Sequence, residues 1–165
     1  MSIAQSLLPE FKHEASNTRK VLQLLPDEHF NWKPHEKSYS LGYLATHIAQ
    51  LPNFITLMLS AGELDLAGDK MVRGKDSNFA EVLARFEARF AEATTALQNA
   101  TDADLTAKWL LRKGDFTLFE LPKVVAMRSM VFNHIIHHRG QLIVYMRLLN
   151  LKVPGLYGPS ADEAS

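Results

Sequence analysis

The sequence predicts an all-α protein, a four-helix bundle, and three observations lead to that prediction. Apolar residues recur at steps of three and four along four long segments, which is typical of helices with one buried face. Hydrophobic residues make up 47% of the 165 residues, enough to form a core without disulfide bonds. No internal repeat, low-complexity block or linker interrupts the pattern, so we expect a single domain that covers residues 1–165.

The first helix is predicted over residues 6–25. Ser6 can cap its start, because a serine side chain accepts hydrogen bonds from first-turn amides. Pro9 then falls within the first turn, where a proline costs little. The helix is expected to end at Leu25, because the residue before Pro26 disfavours helical backbone angles.

The second helix is predicted over residues 41–60, with Ser40 as its cap. Its inner stripe of apolar residues contains one histidine, His47. Pro52 lies inside the same pattern and removes one backbone donor. We therefore expect a kink in this helix about one turn after His47.

Residues 61–76 are rich in glycine and charge, and they predict a long surface crossover between the second and third helices. Ser77 is the expected cap of the third helix, over residues 78–99. Residues 107–120 contain two short apolar runs around a Lys-Gly-Asp turn. This segment predicts either a small hairpin or an extended loop before the fourth helix.

The fourth helix is predicted to begin at Pro122, which suits a first turn, and to end near Asn150. The tail after Gly158 is polar, so we expect it to fray.

Charge and composition exclude several classes of protein. Eighteen basic and eighteen acidic side chains cancel, which argues against nucleic-acid binding and against a polybasic membrane patch. The chain contains no cysteine, so thiolate metal sites and cysteine nucleophiles are excluded. No apolar stretch reaches the roughly 20 residues needed to span a bilayer, and no secretory signal is recognised at the N-terminus. The expected location is the cytoplasm.

Three of the seven histidines lie together in NHIIHHRGQL, as His134, His137 and His138. His134 and His138 fall on the inner stripe of the predicted fourth helix, and their rings stack on one face about 6 Å apart along the axis. Two imidazoles placed in this way can reach one ion at about 2.0–2.1 Å, the usual zinc–nitrogen distance. His137 is rotated about 100° from His138, so we expect it not to share that ion.

His47 is the predicted third ligand, because it lies on the inner stripe of the second helix and bundled helices pack about 8–10 Å apart. Three neutral imidazoles leave coordination positions open, which is the pattern of a catalytic metal. Imidazole nitrogens suit zinc, nickel, iron or copper better than magnesium or calcium. The alternative is three hydrogen-bonded core histidines without an ion, although burying three imidazoles is costly unless each finds a partner.

Five further residues admit two interpretations each. Arg139 either pairs with an acidic neighbour or holds an anionic substrate. Gly140, in the middle of the predicted helix, indicates either tight helix packing or the close approach of a backbone or ligand. Trp32, Tyr43 and Tyr145 either line a pocket or belong to the core. No residue is singled out as a general acid or base.

Two segments carry a resemblance to a known family: LGYLATHIAQ in the second predicted helix and FNHIIHHRGQLIVYMRLLNLKVPGLYGP near the C-terminal end. Together with the long crossover and the WKP segment, they resemble the DinB/YfiT-like family of metalloenzymes over nearly the whole chain. The three metal-binding histidines of that family fall, residue by residue, on His47, His134 and His138. The resemblance therefore implies a single DinB-like four-helix-bundle domain that binds zinc, nickel or iron and forms a homodimer.

Family members with known activity imply two chemistries for a small-molecule substrate. An ion with an open position can bind a low-molecular-weight thiol and lower its pKa, which supplies the sulfur nucleophile that this cysteine-free chain lacks. The same ion can bring the pKa of bound water towards about 7, which permits hydrolysis. We expect a thiol-dependent S-transferase that acts on small electrophiles. The alternatives are a metal-dependent hydrolase and a non-catalytic, dimeric helical module that binds metal or a partner.

Overall fold

The computed structural model describes residues 1–68 and 76–163. Helices dominate these residues, and a three-stranded sheet accompanies them. In chain order the elements are α1 (Ile3–Leu22), a 3₁₀ turn (Asp27–His29), α2 (Leu41–Gln50), α3 (Asn53–Ser60), β1 (Glu63–Asp65), α4 (Phe79–Asn99), α5 (Asp102–Thr106), β2 (Lys108–Lys113), β3 (Phe116–Pro122), α6 (Lys123–Met127), a π-helical segment (Arg128–Phe132) and α7 (Asn133–Leu148). None of the helices described is both long and apolar enough to cross a bilayer.

The mixed sheet shows that the prediction of an all-α fold is wrong. β2 and β3 form an antiparallel hairpin, one of the two outcomes expected before the fourth helix. β1 runs parallel to β2, with Leu64 opposite Leu111, and it lies inside the predicted crossover. Residues 69–75 of that crossover lie outside the described residues. Three residues are too few to show an alternating pattern in the sequence, so β1 forms only because a distant strand is there to pair with it.

Contacts with the hairpin turn hold β1 in place. Gly114 forms this turn with a φ of 58°, in the left-handed region that glycine adopts without steric cost. Its backbone N–H donates to Oδ1 of Asp65 at 2.9 Å, and Arg112 forms an ion pair with the same carboxylate at 2.8 Å. The backbone N–H groups of Gly114 and Ala67, and then the Arg112 charge, lower the pKa of Asp65.

Two helices begin at a different residue from the one predicted. Ser2, and not Ser6, caps α1, in a capping box with the third residue of the helix. α1 therefore begins and ends three residues earlier than predicted, and Pro9 lies in its interior instead of its first turn. Asn78 caps α4 in place of Ser77, and the polar groups of Ser77 instead donate to the side chain of the first-turn glutamate.

The α-helix is interrupted at Pro52, as predicted, although Leu51 and Pro52 keep helical backbone angles. The predicted second helix is split into α2, which ends at Gln50, and α3, which begins at Asn53. Leu51 and Pro52 are both buried in the turn between them. Proline lacks the N–H needed to continue the α-helical ladder, and amides on either side of it bond three residues back instead, Leu51 to Ile48 and Phe54 to Leu51.

The predicted fourth helix is present as three consecutive helical pieces: α6, the π-helical segment and α7. In the π-helical segment the N–H of Asn133 donates to the carbonyl of Arg128, five residues earlier. A π-turn inserts one extra residue into the helix and is frequent at functional sites. This segment ends two residues before His134. The extra residue therefore changes the direction in which the side chains of His134 and His138 point around the helix axis.

Helix packing places α2 beside α7. α2 packs against both α4 and α7, and α1 also packs against α4 and α7. The facing sides of these helices carry the core, with Leu44, Ile48, Phe86 and Leu142 each 0% exposed. Burial of such side chains contributes about 1.5–3 kcal/mol each. The α2–α7 contact is therefore a rigid base for any side chains that project from it.

The C-terminal segment after α7 is not frayed up to residue 163, contrary to expectation. The backbone N–H of Val153 donates to Asp162 at 2.7 Å, and that of Gly155 donates to Glu163 at 2.7 Å. Arg147 of α7 also forms an ion pair with Asp162 at 2.7 Å. The polar residues that suggested fraying satisfy backbone groups of the same segment instead.

Candidate metal centre

The structure brings His47 of α2 together with His134 and His138 of α7. The Nε2 atoms of His47 and His134 are 3.3 Å apart. The ring centroid of His47 lies 5.0 Å from that of His134 and 4.8 Å from that of His138, and the two α7 rings are 4.6 Å apart. One ligand nitrogen from each residue lies within 4.8 Å of the others. The three side chains selected from the sequence thus converge, and metal binding by them stays a prediction.

This geometry fits a small transition-metal ion. Two nitrogens bound to one tetrahedral ion at about 2.0–2.1 Å are about 3.3 Å apart. The Nε2 atoms of His47 and His134 already have that separation, at 3.3 Å. The third nitrogen lies within 4.8 Å of these two, so its ring would have to move closer to complete a three-nitrogen face for a first-row divalent ion.

The other ring nitrogens of the two α7 histidines have partners within the chain. The Nδ1–H of His138 donates to Oε1 of Gln141 at 2.7 Å, and the Nδ1–H of His134 donates to the backbone carbonyl of Met130 at 3.3 Å. With its proton on Nδ1, each neutral ring leaves the Nε2 lone pair free to face the other histidines. Both partners thus select the tautomer that a metal site needs.

The sequence analysis predicted neither Gln141 nor the Met130 carbonyl as a partner of these rings. Gln141 is three residues after His138, a spacing that places two side chains on one face of a helix, and this was the available signal. The Met130 carbonyl lies in the π-helical segment, and no residue type in the sequence marks it.

The surroundings keep the two α7 rings neutral. Burial lowers the pKa of His134, and repulsion from His138 adds to this effect. Burial also lowers the pKa of His138, whereas its hydrogen bond to Gln141 opposes the shift. Among the described residues, the group able to share one ion contains no carboxylate. The two α7 histidines are therefore neutral donors, and near pH 7 neither ring need lose a proton before it binds an ion.

His137 stays out of this group, as its rotation around the helix predicts. Its side chain is exposed, and its ring contacts His138 edge-on at a centroid distance of 4.9 Å. His137 therefore neighbours one ligand without pointing at the shared centre.

The structure also decides between the interpretations of Arg139 and Gly140. Arg139 is 1% exposed and pairs with the buried carboxylate of Glu14, so it holds an acidic neighbour and not a substrate. Gly140 is exposed, and a Cβ atom built on it would meet nothing within 4 Å. Among the residues described, tight packing and the close approach of another backbone are therefore wrong for Gly140, whereas the approach of a ligand stays a prediction.

Aromatic side chains cluster where the start of α2 meets the end of α7. The ring of Trp32 meets that of Tyr145 edge-on at 5.7 Å, and the rings of Tyr39 and Tyr43 are 4.5 Å apart. The hydroxyl of Tyr145 donates to the carbonyl of Tyr39 at 3.4 Å, which links the two pairs. Trp32 and Tyr145 are half-buried and Tyr43 is exposed, so these residues border the surface, and Tyr145 also packs against the core.

Together, the fold and the site define a mainly helical protein with a candidate three-histidine metal centre where two helices meet. The chain belongs to the DinB family, whose family model matches residues 1–165. This match confirms the family expected from the resemblance of the two histidine-bearing segments.

Relatives from Bacillus subtilis (strain 168) are similar to the chain over most of their length. The uncharacterized protein YrdA is 28% identical over 156 residues, which cover 94% of this chain and 89% of YrdA. The uncharacterized protein YjoA is 27% identical over 150 residues, which cover 89% of this chain and 91% of YjoA.

Two crystal structures of DinB-like proteins share the fold. One, from Bacillus cereus ATCC 10987, has a TM-score of 0.74 at 27% identity and covers 94% of this chain and 98% of its own. The other, YjoA from Bacillus subtilis, has a TM-score of 0.73 at 18% identity over 94% of this chain, a likeness of fold alone. The mixture of helices and strands described above is therefore that of DinB-like proteins.

Proposed function

We propose that this protein is a metal-dependent enzyme that transfers a low-molecular-weight thiol to small electrophiles. His47, His134 and His138 would hold the ion, which we propose to be zinc, nickel or iron. The observation that carries this proposal is the convergence of three imidazoles on one point, two of them fixed with Nε2 available by partners at Nδ1. Three protein ligands leave room for a fourth, as in catalytic sites.

Charge is the argument for a thiol as the fourth ligand. Three neutral nitrogens do not offset the charge of a divalent ion, so the open position favours an anionic ligand such as a thiolate. When bound, the ion would stabilise the thiolate form of the added thiol at neutral pH. The sulfur must come from a small molecule, because the chain contains no cysteine.

The proposed transfer balances without a further reactant. The thiol sulfur forms a bond to the electrophilic carbon, and the leaving group departs with the electron pair of the broken bond. The thiol proton passes to solvent. The contribution of the chain is to hold His47, His134 and His138 in their neutral form and in fixed positions.

Hydrolysis is the competing chemistry within the same class. Zinc hydrolases whose ligands lie on helices commonly use a glutamate beside the ion as the general base. In the described part of the chain no carboxylate belongs to the group that can share the ion. This concerns the ligands and not a general base, so the assay below includes both chemistries.

Metal binding is the first test of the proposal. Purified without a histidine tag, the wild-type protein is expected to contain about one transition-metal ion per chain, and His47→Ala and His138→Ala to contain almost none. His137→Ala is the matched control, because His137 is exposed on the same helix and outside the triad, and it should retain the ion. Metal content is measured by mass spectrometry. Equal metal content in all four proteins, or none in any, would contradict the proposed ligand set.

The reaction is tested with the metal-loaded protein. Monochlorobimane is incubated with several cellular thiols, and conjugation faster than with the His138→Ala protein supports thiol transfer. Ester or amide cleavage in the absence of thiol would instead support the hydrolase. Metal binding without either activity would favour a non-catalytic module, whose oligomeric state light scattering would determine.

A further inference from the structure

We propose that the aromatic wall, formed by Trp32, Tyr39, Tyr43 and Tyr145, binds the flat, apolar body of the electrophile while its reactive carbon lies at the histidine triad. This inference rests on the proposed function and names its substrate class: small electrophiles attached to an aromatic or heteroaromatic ring. The wall comes from three parts of the chain, the segment before α2, α2 itself and the end of α7.

The direction of the two helices places the wall and the triad on one continuous surface. His47 of α2 faces His134 and His138 of α7, whereas Tyr39, just before α2, contacts Tyr145 near the end of α7. α2 and α7 therefore run antiparallel, and a step towards the start of α2 is also a step towards the end of α7.

Helix geometry gives the distance from triad to wall. Tyr43 precedes His47 by four residues, which is about 6 Å along the helix axis and on the same face. Tyr145 follows His138 by seven residues, about 10 Å along the axis and again on the same face. A molecule with one or two fused rings spans a similar length, so it can lie on the wall and still reach the triad.

The wall is accessible and is also held in position. Tyr39 is 53% exposed and Tyr43 is 43% exposed, which is uncommon for two aromatic rings in mutual contact. The segment that carries Trp32 is tied to the start of α2, because the N–H of Leu41 donates to the Trp32 carbonyl at 2.9 Å. Rings fixed in this way lose little conformational entropy when a flat ligand stacks on them.

The chemistry of the wall selects a ring-bearing substrate. Its four side chains contribute aromatic faces and edges, which attract another ring through offset or edge-on contacts. The wall contains no lysine, arginine, aspartate or glutamate, so it provides no ion pair for a highly charged substrate. A small electrophile without a ring would reach the triad, but contact with the wall would not increase its binding affinity.

Binding is measured first, without any reaction. An unreactive bimane, a flat two-ring compound without a leaving group, is titrated into the metal-loaded protein, and the quenching of Trp32 fluorescence is followed. The other tryptophan, Trp109, is 0% exposed and provides a constant background. Tyr43→Ala and Tyr39→Ala are each expected to bind the bimane about three- to tenfold more weakly than the wild-type protein. Phe116→Ala is the matched control, because Phe116 is 72% exposed on the distant hairpin turn, and its binding should be unchanged.

Turnover then separates this inference from the proposed function. With thiol present, Tyr43→Ala should lower kcat/KM for monochlorobimane about three- to tenfold, mainly through KM, and leave kcat/KM for iodoacetamide within about twofold. Metal content should not change. If bimane binding depends on Tyr43 but no turnover is observed, the proposed role of the wall is retained and the proposed thiol transfer is overturned.

Two results would overturn the proposed role of the wall. One is that the wild-type, Tyr43→Ala and Phe116→Ala proteins bind the unreactive bimane equally, or that none of them binds it. The other is that light scattering shows a dimer that Tyr43→Ala and Tyr39→Ala both dissociate, with no bimane binding in the wild type. In that case a second copy of the chain, and not a substrate, covers these rings.

Discussion

At the scale of single residues, the candidate site depends on which ring nitrogen carries the proton in His134 and in His138. His138 can bind an ion through Nε2 only if its proton is on Nδ1. Oε1 of Gln141 accepts a hydrogen bond from that Nδ1–H, with 2.7 Å between the two atoms. An amide acceptor carries no charge, so it selects the tautomer without making the ring much more basic. A carboxylate in the same place would do both.

Replacing Gln141 tests this role. In Gln141→Ala, His138 should lose its preference for the Nδ1–H tautomer, and the affinity for the ion should fall about 10- to 100-fold. Gln141→Glu keeps an acceptor and should restore both properties. The ¹⁵N chemical shifts of the His138 ring report the tautomer in the metal-free protein, and competition with a chelator gives the affinity. An unchanged tautomer in Gln141→Ala would show that Gln141 does not position the ring.

At the scale of helices and strands, two glycines show how local backbone geometry determines what a residue does. Gly140 lies within α7 on an exposed face, with nothing within 4 Å of a Cβ atom built on it. Gly114 forms the hairpin turn at a φ of 58°, also with nothing within 4 Å. Both sites have space for a methyl group, so only the backbone conformation distinguishes them.

The same substitution should therefore have opposite effects at these two positions. Gly140→Ala should raise the free energy of unfolding by about 0.5–1 kcal/mol, because alanine is the better helix former. Gly114→Ala should lower it by about 1–2 kcal/mol, because a Cβ atom is strained in the left-handed region. Urea unfolding followed by circular dichroism measures both. Changes of the same sign at the two positions would contradict this interpretation.

At the scale of the whole molecule, one polar network, buried at Arg139 and Glu14, joins α1, α7 and the C-terminal segment. Arg139 donates to the backbone carbonyl of Glu14 at 2.9 Å, to Thr18 at 3.1 Å and to the hydroxyl of Tyr157 at 2.6 Å. The Tyr157 hydroxyl in turn donates to the Glu14 carboxylate at 2.8 Å. Arg139 follows directly after His138, so this network also anchors the part of α7 that carries the candidate ligand.

Alkaline pH should weaken this network at Tyr157. Burial of the hydroxyl and its hydrogen bond to Glu14 raise the pKa of Tyr157 above the ordinary tyrosine value. The unfolded chain loses this proton near pH 10, before the folded protein does, so the stabilisation present below about pH 10 is lost as the pH rises towards the raised value. Urea midpoints between about pH 8 and 11 should fall more steeply for the wild type than for Tyr157→Phe. Parallel curves would show that this proton does not contribute to stability.

The local order of side chains was sufficient to predict most of the helices, the break at Pro52 and the helix face that His134 and His138 share. Helical periodicity, proline chemistry and the four-residue spacing of His134 and His138 act within a few residues, so the sequence alone determines them. Only the tertiary structure decided the parallel pairing of β1 with β2 and the partner of Arg139, because those contacts join residues far apart in the chain and their formation depends on the packing of everything between them. The choice of Ser2 over Ser6 as the cap of α1, in contrast, is local: Ser2 and Gln5 form a capping box, whereas the residue three positions after Ser6 is Pro9, which has no N–H to donate to a cap.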